Sequence, residues 1–401
     1  MTGQDTSARG ELLSEAGLRE HVGRLAALRR ETGGAGERAA GERIAAVLEG
    51  LGLDVERDEE RVHGTYWWPI GLAAAAAALA GLDGRRALGA AVGALAALAS
   101  ADDIAAGPRY LRRLLPQRDT VNVWTAIGPP DAPRTVVVVA HHDAAHSGLV
   151  FEPEVPRAVL RRLPPSLLAR ANTTPPTMWG AVAGPALVAL GSLLGSRRVR
   201  AGGTALAAGY AAAMTDIALR DVVPGANDNA TGVATGLSLA HWLSQGVPDG
   251  VRVLLVFPGA EESFMEGMVA WCDRHLAALD PRRTSFICVD TVGSPDLVAL
   301  EGEGMLYMND YPRDLLELIH AAADELGVFV HRDLRFRNAT DGLIPLKRGY
   351  RSSMLGSVDE FKIPPNYHWP TDTADRVDYG TVADTARVCR RVIERIAAGA
   401  L

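Results

Sequence analysis

Between Leu18 and Leu48, apolar residues recur at helical spacing on either side of a Gly-rich break at Gly33 to Gly36. Leu18, Val22 and Leu25 precede the break and Ala40, Ile44 and Leu48 follow it, which predicts two amphipathic helices. The segment LDVERDEERV after Gly52 alternates as a strand does, and Thr120 to Ile127 and Thr135 to Ala140 predict two more. The unbroken VVVVA run in the last of these marks a strand buried on both faces. VRVLLVF (251–257) and SFICVD (285–290) are equally apolar and alternate with helical patterns over Gly232 to Gln245 and Gly267 to Ala278. Strands interleaved with helices predict an α/β sandwich.

Two stretches depart from this pattern. Trp67 to Ser100 holds PIGLAAAAAALAGL, a DGRR turn and ALGAAVGALAALAS, and Met178 to Ala218 repeats the design around SRRVR. Each predicts a hydrophobic helical hairpin whose runs, about 14 to 18 apolar residues, sit at the lower limit for crossing a bilayer. Uncharged interiors, the aromatic cluster Tyr66, Trp67 and Trp68, and the glycine pairs Gly89/Gly93, Gly180/Gly184 and Gly191/Gly195 favour a membrane over a soluble Ala-rich cap. Arginines lie on both sides of the hairpins, so charge does not orient them. About 65 polar residues precede the first hairpin without a secretory signal, so an integral membrane protein with its catalytic domain in the cytoplasm is expected. The chain divides into catalytic segments 1–65, 107–150 and 220–401, a hairpin at 66–106, and an insertion at 151–219 whose hairpin covers 176–219.

A net charge of −7 over 401 residues, without long basic runs, excludes nucleic acid as the main partner. Cys272, Cys288 and Cys389 are too few and too far apart for a disulfide framework or a thiolate metal site and are expected as buried thiols.

Chemistry concentrates where strands end. His141-His142-Asp143 follows VVVVA, an arrangement that suits a metal-binding imidazole at position 141 held by the Asp143 carboxylate. His142 and His146 are expected as pocket or surface residues. In PGANDNATG, Asp228 stands in a turn where one carboxylate can serve two cations, or where an Asn or Asp simply caps the next helix. Glu261 and Glu262 follow VRVLLVF; a buried adjacent pair needs a cation or a shared proton, although a solvated acidic loop has the same sequence. Asp290 ends an apolar run, where an unpaired carboxylate is costly, and His368 lies in the polar loop NYHWPTDT.

The ordered set AHHD, GANDNATGVA, GAEES, VDTVG and YHWPTDT resembles the two-zinc exopeptidase family that includes bacterial leucyl aminopeptidases, glutamate carboxypeptidase and glutaminyl cyclase. The resemblance implies a mixed central β-sheet sandwiched by helices, with the two hairpins as additions. It also implies two zinc ions: one on His141 and Asp290, the other on Glu262 and His368, and Asp228 bridging them. Glu261 would be the general base, Asp143 would orient His141, and Asp372 would support the region of His368. His142 stands where the family often has Tyr, and Thr340-Asp341-Gly342 resembles a family Ser-Asp-His stretch without its last residue. The implied activity is that of an aminopeptidase acting on peptide-like substrates. A carboxypeptidase or dipeptidase, a glutaminyl-cyclase-like enzyme and a non-catalytic membrane scaffold are the alternatives. Among Arg335, Arg337, Arg348 and Arg351, any that reached the metals would favour a substrate carboxylate.

Overall fold

The computed structural model describes residues 11–401; the first ten residues, where the polar N-terminal stretch and the segment 1–65 begin, lie outside the described residues. Strands form at β1 (Glu56–Val62), β2 (Arg118–Ile127), β3 (Arg134–Val139), β4 (Val251–Phe257), β5 (Thr284–Val289) and β6 (Asp296–Ala299). Short pieces follow at β7 (Gly302–Glu303), β8 (Asn309–Asp310), β9 (Val330–His331) and β10 (Arg335–Phe336), then β11 (Arg351–Val358). Eight of them make one mixed sheet in the order β1-β2-β4-β3-β5-β11-β6-β9, and β10-β7-β8 form a small ribbon beside it. At its centre β4, β3, β5 and β11 run parallel. Val139 lies opposite both Val256 and Cys288. The residues that follow β3, β4 and β5 therefore emerge together along one edge, where α/β sheets bind ligands.

The helices are α1 (Glu15–Ala26), α2 (Ala35–Gly50), α3 (Trp67–Asp83), α4 (Arg86–Ile104), α5 (Glu154–Leu160), α6 (Pro165–Arg170) and α7 (Trp179–Leu193). They continue with α8 (Arg197–Leu219), α9 (Thr231–Ser244), α10 (Glu266–His275), α11 (Arg313–Leu326), α12 (Leu343–Lys347) and α13 (Tyr379–Ala397). Alternation along β3 divides the core. Val136 and Val138 pack with Leu18, Ile44, Val233 and Val388 on one face. Val137 and Val139 pack with Met268, Trp271, Phe286 and Ile217 on the other. The unbroken valine run thus reports a strand covered on both sides, and the three cysteines are free and buried.

Helices α3, α4, α7 and α8 pack into a four-helix unit. Glycine permits the close approach. A Cβ at Gly93 would stand 2.7 Å from the backbone nitrogen of Ala189, and one at Gly184 would stand 2.9 Å from that of Ala207. The outer face is apolar, with Leu79, Leu82, Leu95, Leu98, Leu193 and Leu194 all more than 60% exposed. Among the described residues α4 is the one helix long and apolar enough to cross a bilayer; α3 and α7 are shorter apolar helices. Of the aromatic cluster expected at a membrane interface, only Trp68 faces outward. Tyr66 and Trp67 are buried, Tyr66 stacked on Phe264 and Trp67 against His146, because the chain turns inward where α3 meets the sheet.

A buried ion network joins this unit to the strand ends. Arg112 pairs both its Nε and Nη2 with Asp103, at the end of α4, at 2.8 Å, and its Nη1 lies 3.3 Å from Glu266 and donates to the Ser263 carbonyl. Burial opposes ionisation of Glu266, yet His63, Arg112 and the Ser263 hydroxyl hold its carboxyl down at about 2. Because this pKa is depressed on folding, its stabilising contribution is complete above the ordinary value and is lost as the pH falls toward 2. Arg112→Met removes both side-chain donors to the buried Asp103 carboxylate, leaves Glu266 with His63, Gly64 and Ser263, and is expected to lower unfolding free energy by about 3–5 kcal/mol in denaturant titrations.

Candidate metal centre

Each expected ligand leaves the sheet edge from a different segment. His141 and Asp143 follow β3, Glu261 and Glu262 follow β4, and Asp290 follows β5. Asp228 sits in the tight turn Ala226–Ala230 before α9, and His368 in the loop after β11. The turn closes on itself at Gly225 (φ 60°), where a Cβ would lie 2.5 Å from the Asp228 carbonyl oxygen and 2.6 Å from Arg30. The helix-capping role that competed for Asp228 falls to its neighbour. Asn229 Oδ1 accepts the Gly232 N–H (3.0 Å) and Asn229 Nδ2 donates to Val289 O (2.9 Å), which leaves the Asp228 carboxylate to face the sheet edge.

Two clusters share Asp228, His141 with Asp228 and Asp290, and His368 with Asp228 and Glu262; His141 with Glu261 and Glu262 makes a third, and the ligand atoms of each lie within 4.8 Å of one another. Asp228 Oδ1 lies 3.3 Å from His141 Nε2 and its Oδ2 3.3 Å from His368 Nε2. Asp290 is 3.7 Å from the same nitrogen of His141, and Glu262 is 3.2 Å from that of His368. Glu261 stands 3.9 Å from His141 Nε2.

Asp143 ties this arrangement together. One of its oxygens lies 3.3 Å from His141 Nδ1, and the carboxylate accepts the backbone N–H groups of Glu261 (3.0 Å) and Glu262 (3.1 Å) and the Thr32 hydroxyl (2.7 Å). Asp372 acts differently from the expectation. Its carboxylate accepts the N–H groups of Asn227 (2.8 Å) and Asp228 (3.0 Å), so it holds the turn rather than His368, whose Nδ1 is buried without a hydrogen-bond partner.

Asp143, Asp228, Glu261, Glu262, Asp290, Asp341 and Asp372 are all buried here. Facing them is one fully buried guanidinium, Arg30, which donates to the carbonyls of His142 (3.0 Å), Pro224 (3.1 Å) and Gly225 (2.7 Å). That excess of anionic oxygen explains the titration behaviour. Burial and the charges of Glu262, Asp341 and Asp290 push Glu261 well above the carboxylate range, and burial with Asp228 and Glu262 raises Asp290 to about 7. Burial opposes protonation of both histidines, but the carboxylates around them raise His368 to about 10 and His141 well above its ordinary value. Buried imidazole and carboxylate groups that outnumber their counter-charges fit divalent cations, and a nitrogen–oxygen donor set suits zinc.

Three residues of this centre carry no sequence signal of their own. Arg30 looks like any loop arginine. Glu37 looks like a surface residue of α2, yet it is buried and accepts Ala260 N–H (2.8 Å), Gly33 N–H (2.8 Å) and the Thr120 hydroxyl (2.9 Å). Asp341 is buried with both carboxylate oxygens lacking a partner, and the Thr-Asp-Gly resemblance was its one hint. His142 is buried against α2, where burial lowers it to about 4, and His146 Nδ1 pairs with the Arg220 carbonyl; neither joins the clusters. Arg335, Arg348 and Arg351 pair with acids elsewhere, while Arg337 lies over the Trp179 ring in a cavity beside the centre.

Residues 212–393, which contain Asp228, Glu261, Glu262, Asp290 and His368, match the model of peptidase family M28. This part of the chain belongs to that family. The M28 match begins after His141 and Asp143, which the sheet register brings alongside it. Solved structures share the fold over nearly all of the chain. Glutaminyl cyclase from Bacteroides thetaiotaomicron is 15% identical with a TM-score of 0.58, over 96% of this chain and 99% of that one. A zinc aminopeptidase from Bacillus subtilis is 14% identical with a TM-score of 0.57, over 96% and 95% of the two chains. A Zn-dependent exopeptidase from Parabacteroides distasonis is 14% identical with a TM-score of 0.56, over 96% and 99%. No curated protein matches the chain. The expected mixed sheet between helices is therefore the fold of zinc aminopeptidases, and the match to peptidase family M28 lies within residues 212–393.

Proposed function

We propose that this protein is a two-zinc exopeptidase, an aminopeptidase in polarity. The observation that carries the reading is Asp228, whose two oxygens stand at equal distance from His141 and His368 and so suit a carboxylate shared by two cations. His141 and Asp290 would hold one zinc and Glu262 and His368 the other. Bound zinc supplies Lewis acidity, polarising the amide carbonyl and acidifying water. Glu261 takes the proton from the water that attacks the carbonyl carbon and delivers it to the leaving amine as the carbon–nitrogen bond breaks. Asp143 keeps Glu261 and Glu262 at their positions through its hydrogen bonds to their backbone, and holds the His141 ring.

The four-helix unit, with its leucine-rich outer face, supports an integral membrane protein. We take the catalytic domain to be cytoplasmic, with peptide-like substrates as its partners. A carboxypeptidase reading has one observation in its favour, the Arg337 guanidinium beside the centre.

Zinc analysis and a panel of aminoacyl amides and carboxyl-terminal peptides test the proposal. Two zinc ions per chain are expected, with aminoacyl amides hydrolysed, activity lost on chelation and restored by zinc. Activity that survives complete metal removal overturns the reading, and turnover confined to free carboxyl termini reverses its polarity.

A further inference from the structure

A cavity of about 710 Å³ adjoins the centre. At one end its wall includes Phe151 and Tyr367, whose rings lie 4.6 and 3.8 Å from that of His368. From there it follows one face of α8 through Ile217, Met214, Ala213, Tyr210, Gly209 and Leu206. That face is about 16 Å long at the helical rise per residue. Gly209 and Leu206 at the far end are exposed, on the same unit whose outer face is lined with leucine.

The length and chemistry of the cavity select its occupant. A run of about 16 Å exceeds the reach of an amino-acid side chain, and equals some five residues of extended peptide. Peptide is a poor match, because its N–H and C=O groups need partners. The α8 backbone is occupied by its own helix and its side chains along the cavity are apolar apart from Tyr210, while the polar groups of the wall, Glu152, Thr174, Thr177, Arg337 and Asn338, are too few to partner every N–H and C=O of about five extended residues. A hydrocarbon chain needs none. Length then sets which half of the substrate carries it. In an aminopeptidase the acyl half is a single amino acid, shorter than this run, so what fills the cavity belongs to the leaving half; Glu152 and Arg337 both line the wall, so charge favours neither half.

We propose that this cavity holds the long hydrocarbon chain of a membrane amphiphile, carried on the leaving-amine half of the amide that the centre cleaves. The assignment of that half rests on the aminopeptidase reading above and the membrane origin of the amphiphile on the integral-membrane reading; the site for a hydrocarbon chain rests on the cavity.

Gly209 makes a selective probe, since a Cβ there meets nothing within 4 Å and a helix interior favours any ordinary side chain over glycine. Gly209→Trp fills the cavity. Gly202→Trp, equally open but outside the cavity wall, is the control. For the full chain in detergent micelles, kcat/KM is expected to be at least about tenfold higher for leucyl-hexadecylamide than for leucyl-methylamide. Gly209→Trp is expected to abolish that preference and Gly202→Trp to keep it. Fluorescence binding of dansylaminoundecanoic acid supplies a readout free of turnover. Wild type, Glu261→Gln and Gly202→Trp should bind it, and Gly209→Trp should weaken it at least about tenfold. Binding with this pattern but no hydrolysis of any amide sinks the peptidase reading and leaves the chain site standing. Equal turnover of the two amides with no probe binding, or equal binding by Gly209→Trp, overturns the chain site while the peptidase reading stands. Preference for palmitoyl-leucine over leucyl-hexadecylamide overturns the placement on the leaving half.

Discussion

Glu261→Gln is expected to lower kcat by about two to four orders of magnitude while the zinc content stays at the wild-type level. The amide is nearly isosteric with the carboxylate and keeps the backbone that Asp143 grips, so the loop holding Glu262 stays in register. What it loses is the oxygen that can accept a proton from water. Two measurements on one preparation decide the matter: metal by mass spectrometry and steady-state turnover of a leucyl amide. Retained turnover removes Glu261 from the chemistry, and lost zinc makes it a ligand instead.

Asp228→Ala should have the broader effect, since it deletes the group that the His141–Asp290 and His368–Glu262 clusters share. Less than one zinc per purified chain is expected, and activity should fall by well over the roughly 10–100-fold associated with residues that merely support ligands. Asp372→Asn provides the graded comparison. It weakens the acceptor for the Asn227 and Asp228 N–H groups without removing a metal-facing oxygen, so a loss of roughly 10–100-fold is expected there. Equal zinc content in Asp228→Ala and wild type contradicts a shared carboxylate.

The sheet was legible where burial on both faces left a run of branched apolar residues, as in β3, β4 and β5. Strand β11 was not. RSSMLGSV mixes serines with apolar residues, and its burial is permitted because hydroxyls bond to neighbouring backbone, Ser352 to Gly342 and Ser357 to Thr291. The ligands could be read because carboxylates and histidines at strand ends have few inexpensive structural roles. Their supports could not, because the roles of Arg30 and Glu37 depend on partners more than 100 residues away. Asp372 went to the wrong partner for a related reason: proximity in sequence to His368 outweighed a contact across the fold that only the folded turn reveals.

The metal-facing side chains come from segments spread between His141 and His368, so any piece of this chain that contains the whole centre must span that stretch. The strands that carry them are paired out of sequence order, β4-β3-β5-β11, and the centre is assembled only after those long-range pairings have closed. A chain that stops at β11 holds the hairpins and most of the sheet but lacks His368, so the cluster that His368 makes with Asp228 and Glu262 cannot form in it.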